Sequence, residues 1–210
     1  MITTLLLNLY AVNSKPIQTT VIRLVKTLEN GEMYSPTLRR IFLKYHDIRI
    51  GRYSYGGCFD AQNIASGTTF GAYCSIARPI YIFNGNHPLH FRSTHPFFFN
   101  PKLGLVETEQ ITRKHLTVGN DVWIGCNAII LPSVTKIGDG AVIGAGSVVI
   151  TNVPPFAVVF GNPATIIKYR FSSDIITGLL EAKWWTKSID EIIANREINT
   201  FTKPLWKVKV

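Results

Sequence analysis

Between residues 48 and 160, bulky apolar positions recur every six residues. Hexads open at Ile50, Ile64, Phe70 and Ile76, and again at Val118, Ile124, Ile130, Ile137 and Ile143. The first place is aliphatic or aromatic, the second is mostly Gly or Ala, and the fifth is small or Val. A period of six is neither the 3.6 of an amphipathic helix nor the simple alternation of a flat, half-buried strand. Repetition at a short fixed period specifies a β-solenoid: each hexad supplies one short strand and one turn, and three hexads close a triangular coil. The first residue then points inward onto its counterpart one coil away. Gly or Ala lets the backbone turn at the corner, and the small fifth residue fits the narrow interior. Ile130 and Ile137 are spaced one residue too far apart. The insertion, Lys136, predicts a bulge.

The hexads stop between Ile82 and Thr117. This excursion holds Asn86-His87-Pro88, His90, Ser93-Thr94-His95-Pro96-Phe97 and His115, four of the five histidines of the chain. Long departures from a regular scaffold are functional or disordered. The density of histidine and aromatic residues predicts an ordered, functional loop over 83–116.

The flanks have another texture. Residues 1–47 read as partly helical. Val21, Ile22, Leu24, Val25 and Leu28 fall at helical spacing before Gly31, and Ser35-Pro36 supplies an N-cap and first-turn pair for a helix through Ile41, Phe42 and Tyr45. From Pro163 to the end, Phe171, Ile175, Ile176, Leu179 and Leu180 make one apolar stripe. Trp184-Trp185 and Ile189, Ile192 and Ile193 follow and are expected as core against the solenoid end. The expected fold class is therefore mainly β, a parallel β-helix over 48–162 with the inserted loop 83–116, an N-terminal helical segment (1–47) and C-terminal helices (163–210).

Composition narrows the function. With 210 residues, 46% hydrophobic and 17% charged, the chain buries a sizeable core and is not a disordered segment. The net charge of +9 is concentrated in Arg39, Arg40, Lys44, Arg49 and Arg52 and in the stretch from Lys183 to Lys209. It reads equally as a solvated basic face or as a surface for an anionic partner. No zinc-finger spacing and no basic repeat interleaved with aromatics points to nucleic acid. Cys58, Cys74 and Cys126 form no CxxC pair and are expected as free thiols in a reducing compartment. The apolar run at Leu5-Leu6-Leu7 lacks a basic flank and is too short for a membrane helix. A cytoplasmic protein with no integral membrane segment is the expectation.

The runs Val118-Gly119-Asn120-Asp121-Val122-Trp123-Ile124-Gly125, Ile137-Gly138-Asp139-Gly140-Ala141-Val142-Ile143-Gly144-Ala145-Gly146-Ser147 and Gly161-Asn162-Pro163-Ala164 resemble the hexapeptide-repeat acyltransferase superfamily. More narrowly, Ile50-Gly51-Arg52-Tyr53-Ser54-Tyr55, Phe70-Gly71-Ala72-Tyr73-Cys74-Ser75-Ile76, Asn86-His87-Pro88 with Ser93-Thr94-His95-Pro96-Phe97, and Lys183-Trp184-Trp185 resemble its xenobiotic (chloramphenicol and streptogramin) O-acetyltransferase branch. That branch also holds sugar and polysaccharide acetyltransferases. The resemblance covers 48–195 and leaves 1–47 unmatched.

It implies a left-handed solenoid, a homotrimer, and direct transfer of an acetyl group from acetyl-CoA to a hydroxyl without a metal. His87 inherits the role of general base. The chemistry agrees: an imidazole with an unperturbed pKa of about 6.5 is neutral and basic at cell pH. No G-x-S-x-G elbow suggests a covalent intermediate. By the same resemblance the pantetheine arm runs past Trp123, Gly125, Cys126, Gly144 and Ala145, and Lys168 meets the coenzyme phosphates. The acceptor pocket is expected from Tyr55, Asp60, Asn86 and Phe97; Tyr55, Phe59 and Phe97 read equally as stacking surfaces for a ligand ring or as packing. Ile150 stands where some sugar-acetylating relatives carry a hydroxyl. The acceptor is expected to be a sugar or surface-polysaccharide precursor, with an antibiotic as the alternative. A metal-dependent hydratase needs three converging histidines, and 118–160 contains none. A non-catalytic trimeric scaffold is the remaining alternative.

Overall fold

A computed structural model describes residues 2–12 and 14–205. Three helices open the chain: α1 (Ile2–Tyr10), α2 (Lys15–Leu28) and α3 (Pro36–His46). Ser35 caps α3, its Oγ accepting from Leu38 N at 3.0 Å, as Ser-Pro predicts. The pattern gave no helix at α1. Its Leu6 and Tyr10 pack into the common core, so tertiary burial, and not local periodicity, fixes that helix.

The solenoid follows as short strands: β1 (Ile48–Ile50), β2 (Tyr55–Gly56), β3 (Thr68–Phe70), β4 (Ser75–Ile76), β5 (Tyr81–Ile82), β6 (Leu116–Val118), β7 (Trp123–Ile124), β8 (Ile129–Ile130), β9 (Lys136–Ile137), β10 (Val142–Ile143), β11 (Val148–Val149), β12 (Ala157–Gly161) and β13 (Ala164–Tyr169). They form three faces. The first is β1-β3-β6-β9, the second β2-β4-β7-β10-β12-β13 and the third β5-β8-β11. All pairings are parallel except β12–β13. Stacked coils pair as ordinary neighbouring strands, whose spacing is about 4.8 Å.

The hexad openings are the inward stacks. Ile50, Phe70, Val118 and Ile137 pair in register on the first face. Ile76, Ile124, Ile143 and Val159 do so on the second, and Ile64, Ile82, Ile130 and Val149 on the third. All are buried. The outward residues differ by face. The first shows Arg49, Thr69, Thr117 and Lys136. The second shows Tyr55, Ser75, Trp123, Val142 and Val158, and the third Tyr81, Ile129 and Val148. The first face is polar, and the other two are mostly apolar.

Close stacking dictates the corner glycines. A Cβ on Gly51 would lie 2.4 Å from the Gly71 backbone, and one on Gly71 would lie 2.5 Å from the Gly119 carbonyl. A polar ladder runs beside them. Asn120 Oδ1 accepts from Ala72 N at 2.8 Å, and its Nδ2 donates to Asp139 Oδ1 at 2.7 Å. Lys136 makes no bulge: it pairs in register with Thr117. The extra residue is absorbed in the preceding corner, where Asn152 Oδ1 accepts from Thr135 N and Lys136 N at 2.8 and 3.0 Å. The irregularity in the strand ladders lies between Val158 and Val159.

The N-terminal helices close the open end of the solenoid. Arg39 is not part of a solvated basic face. Its five N–H groups donate to five carbonyls: Gly51 (3.0 Å), Glu32 (2.8 Å), Ser35 (2.8 Å), Met33 (3.1 Å) and Ser54 (3.1 Å). Beside it, Glu32 accepts from Arg78 Nη2 and Gly56 N, both at 2.8 Å, and pairs with Lys26. Burial works against ionisation of Glu32, but these donors outweigh it and hold the carboxyl below the ordinary glutamate value. A lowered folded value means that its stabilisation is present above about pH 4.3, the unfolded glutamate value, and is lost as pH falls through the folded one. Glu32→Gln is therefore expected to flatten the acid-side loss of stability below that pH in urea titrations. An unchanged slope would show that Glu32 carries no such linkage.

After β13 come α4 (Ser173–Ala182), α5 (Ile189–Ala194) and α6 (Ile198–Thr202). This segment is tied to the corner between the first and second faces. Tyr53, Tyr73 and Trp184 stack with centroids 4.8 and 4.9 Å apart. Tyr73 Oη donates to the Lys187 carbonyl at 2.7 Å, and Arg52 reaches the Thr186 carbonyl. Trp185 is buried as expected, but Trp184 is only half-buried.

Candidate active site

The excursion leaves after β5 and returns at β6, so it sits at the corner between the third and first faces. Its two limbs are joined at the base. Lys114 N donates to the Asn84 carbonyl at 2.8 Å, Arg113 Nη1 to Asn84 Oδ1 at 3.1 Å, and Asn84 Nδ2 to the Ser66 carbonyl at 3.0 Å. Further out, Gln110 N donates to the Phe99 carbonyl at 3.1 Å. Prolines start two tight turns, Pro96–Phe98 and Pro101–Leu103, each capped by the side chain just before it. The loop is ordered by these bonds and by Phe99, which is 3% exposed.

His87 is held on two sides. Its ring packs on Phe99 with centroids 4.9 Å apart, and Nδ1 lies 2.7 Å from the Thr94 carbonyl oxygen. A carbonyl can only accept, so Nδ1 carries the proton in this bond. The neutral ring then presents an unprotonated Nε2. His87 itself is exposed and lines a pocket of about 310 Å³ with Asn86, Leu89, Lys114, Pro132 and Ser133. Such an imidazole, fixed in tautomer and open to solvent space, can take a proton from an alcohol.

The other expected site residues divide into groups. Asn86 shares the His87 pocket. Phe97 is exposed on the same loop, its ring 4.6 Å from that of His95, but it does not line that pocket. Asp60 is occupied in its own turn, accepting from Asn63 Nδ2 at 2.8 Å and Gln62 N at 3.2 Å. Phe59 is no stacking surface for a ligand: it is buried edge-on against Phe42 at 5.2 Å, under α3. Tyr55 stands on the second face, in the same outward row as Trp123.

Trp123, Cys126 and Ala145 are exposed on the second face and at its corner with the third, and Lys168 is exposed on β13. Gly125 and Gly144 are packed from above. A Cβ would meet Ala145 N at 2.5 Å in one case and the Phe160 ring at 2.4 Å in the other, so coil stacking already requires glycine at both. Cys58 and Cys74 are buried and Cys126 is exposed. Burial pushes the Cys74 thiol up to about 12, so it is inert. Within one chain, the His87 pocket and the Trp123–Cys126 row occupy different corners. The sequence reading missed Pro132 and Ser133, the solenoid's own contribution to the His87 pocket. Their signal was the seven-residue step from Ile130 to Ile137, which marks an enlarged corner where the loop returns.

The bacterial transferase hexapeptide family model, of six repeats, matches residues 115–151. A chloramphenicol acetyltransferase of Agrobacterium fabrum is 39% identical over 164 residues, covering 68% of this chain and 77% of that protein. The chain belongs to the hexapeptide-repeat acyltransferases, in their xenobiotic branch. A probable macrolide acetyltransferase of Lysinibacillus sphaericus is 46% identical over 136 residues, covering 62% of this chain and 75% of that protein. A galactoside O-acetyltransferase of Escherichia coli is 51% identical, but over 53 residues, covering 25% of this chain and 26% of that protein. As a hexapeptide-repeat acyltransferase the chain is an enzyme. No helix among the described residues of this acyltransferase is long and apolar enough to cross a membrane.

Proposed function

We propose that the protein transfers an acetyl group from acetyl-CoA to an alcohol of a small aromatic antibiotic of the chloramphenicol type, with His87 as general base. The observation that carries the reading is the Thr94 carbonyl on His87 Nδ1. Nε2 takes the hydroxyl proton as the alkoxide oxygen bonds to the thioester carbon. The carbon–sulfur bond then breaks, and the coenzyme thiolate recovers the proton from the imidazolium. A positioned base of this kind contributes about 10² to 10⁴ in rate.

The exposed row of Trp123, Cys126 and Ala145, with Lys168 beyond it, suits a pantetheine arm and its phosphates. Lys168 would act there as a point charge. That row and His87 belong to different corners, and the second and third faces are apolar outside. Both features support a left-handed solenoid assembled as a homotrimer, with the base of one subunit serving the coenzyme groove of another.

The choice of acceptor rests on two supports. Leu89, Phe97 and Phe98 expose apolar surface around the loop, which fits an aromatic body better than a hexose. The likeness to the chloramphenicol enzyme also spans most of that protein. A sugar hydroxyl, first in the expectation from sequence, is the second reading and is supported by the short stretch shared with the galactoside enzyme. The test is thiol release from acetyl-CoA against chloramphenicol, a streptogramin and a panel of hexosides. Release with chloramphenicol is expected. Release with hexosides alone would install the second reading, and release with no acceptor would sink both.

A further inference from the structure

The N-terminal helices bury one set of apolar residues and expose another. Leu6, Val21, Val25, Leu38 and Ile41 sit in the common core. Leu5 and Leu9 on α1, Ile17, Leu24 and Leu28 on α2, and Leu43 on α3 are 37–61% exposed. Leu5 and Leu9 stand one turn apart, and Ile17, Leu24 and Leu28 follow one another at seven and four residues. Each of the first two helices therefore shows an aliphatic stripe to solvent. No residue of these helices lines the cavity at His87, the one at the loop base or the one at the C-terminal helices.

The charge on this end has one sign. Residues 2–46 carry two carboxylates, Glu29 and Glu32, and both are engaged within the fold. Glu29 accepts from the Ser35 and Thr37 hydroxyls at 2.5 Å and from Thr37 N at 3.0 Å. Glu32 is held by Lys26, Arg78 and Gly56 N. Lys15, Arg23, Arg40 and Lys44 are exposed, and no carboxylate among the described residues forms an ion pair with them. Arg40 is near enough to help hold the Glu29 carboxyl down; the other three cations face solvent without an acidic partner.

We infer that the N-terminal helices dock the protein on the surface of a bilayer with anionic headgroups. The aliphatic side chains enter the headgroup–acyl boundary, and the flanking lysine and arginine side chains reach the lipid phosphates. Helices of 9, 14 and 11 residues are too short to cross a bilayer and lie along it. Charge decides between occupants. A second copy of this chain would set a cationic surface against itself, whereas an anionic bilayer matches both the sign and the scattered aliphatic surface. The site lies at the open end of the solenoid, outside the faces and the loop used for acetyl transfer, and is independent of that reading.

The test is co-sedimentation of the full chain with vesicles of phosphatidylglycerol and phosphatidylcholine in equal parts, and with vesicles of phosphatidylcholine alone. Binding to the anionic vesicles is expected, weaker in added salt, with little binding to the neutral ones. Arg23→Gln should weaken it about five-fold, and Lys15→Gln with Arg23→Gln about 25-fold, since each cation near an anionic surface contributes independently. Leu24→Ser with Leu28→Ser should weaken it about 10- to 100-fold. All variants should keep the parent circular dichroism and thiol release. Lys136→Gln, exposed on the first face, should leave vesicle binding unchanged. The proposal is overturned if the chain does not sediment with anionic vesicles, if it binds neutral vesicles equally well, or if the leucine variant binds like the parent. It is also overturned if Lys136→Gln weakens binding as much as Arg23→Gln, which would make net charge the whole cause. Self-association that the leucine variant abolishes, without vesicle binding, would assign the surface to a second copy instead.

Discussion

Replacing His87 by alanine is expected to lower kcat by about 10² to 10⁴, or roughly 3–5 kcal/mol of transition-state stabilisation, with thermal unfolding unchanged. Folding is spared because the side chain is exposed. The loop is also anchored elsewhere, at Asn84 and Lys114 and through buried Phe99. The loss should fall on kcat more than on KM, since a base acts in the transition state and adds little to ground-state binding. His87→Gln should be nearly as inactive. Its amide reaches similar space but has no basic nitrogen to receive a proton. Phe99→Ala should give a smaller loss, because it removes the ring that orients the imidazole and leaves the Thr94 carbonyl in place. Stopped-assay thiol release at saturating acetyl-CoA measures all three. A His87→Ala enzyme that turns over at the parent rate would remove the general-base role, whatever the acceptor proves to be.

The solenoid was legible because its cause is local and repeated. Every hexad opening from Ile50 to Ile143 became an inward stack, since an apolar residue at a fixed period has one place to go in a triangular coil. The single spacing anomaly, before Ile137, was legible as an event but not as a kind of event. The chain kept Lys136 in the ladder and enlarged the corner, because a lost pair costs hydrogen bonds while a longer turn only adds exposed chain. The loop over 83–116 was legible as a departure from the period, and His87 through its Pro-flanked motif. The partner that sets its tautomer was not, because a backbone carbonyl at Thr94 leaves no mark in side-chain pattern. Phe59 and Arg39 stayed open in the sequence for a common reason. Each belongs to the interface between the N-terminal helices and the first coil, and a contact between two separately patterned segments has no period of its own. An aromatic residue after Tyr55 therefore read equally as ligand surface or packing, and a half-buried guanidinium read as one more surface charge.

That interface leads to the second large effect. Arg39→Ala is expected to destabilise the fold by about 2–3 kcal/mol, the cost of taking the charged donor from a set of part-buried carbonyls. The guanidinium satisfies carbonyls from two separate structures: Glu32, Met33 and Ser35 in the turn before α3, and Gly51 and Ser54 on the first coil. Removing it leaves these acceptors facing a void between the helices and the open end of the solenoid. Water entering from the rim would recover part of the loss, which keeps the effect below the sum of five bonds. Arg39→Lys should recover less than half. An ammonium has three donors on one point, and these carbonyls are arrayed around a planar fork. The cation over Phe59 at 5.6 Å would also be displaced. Urea titration by circular dichroism reads the change, and thiol release at low denaturant shows whether the surviving fold is active. A loss within about 0.5 kcal/mol, the scale of an ordinary surface substitution, would mean that the N-terminal helices rest on the solenoid by apolar contact alone.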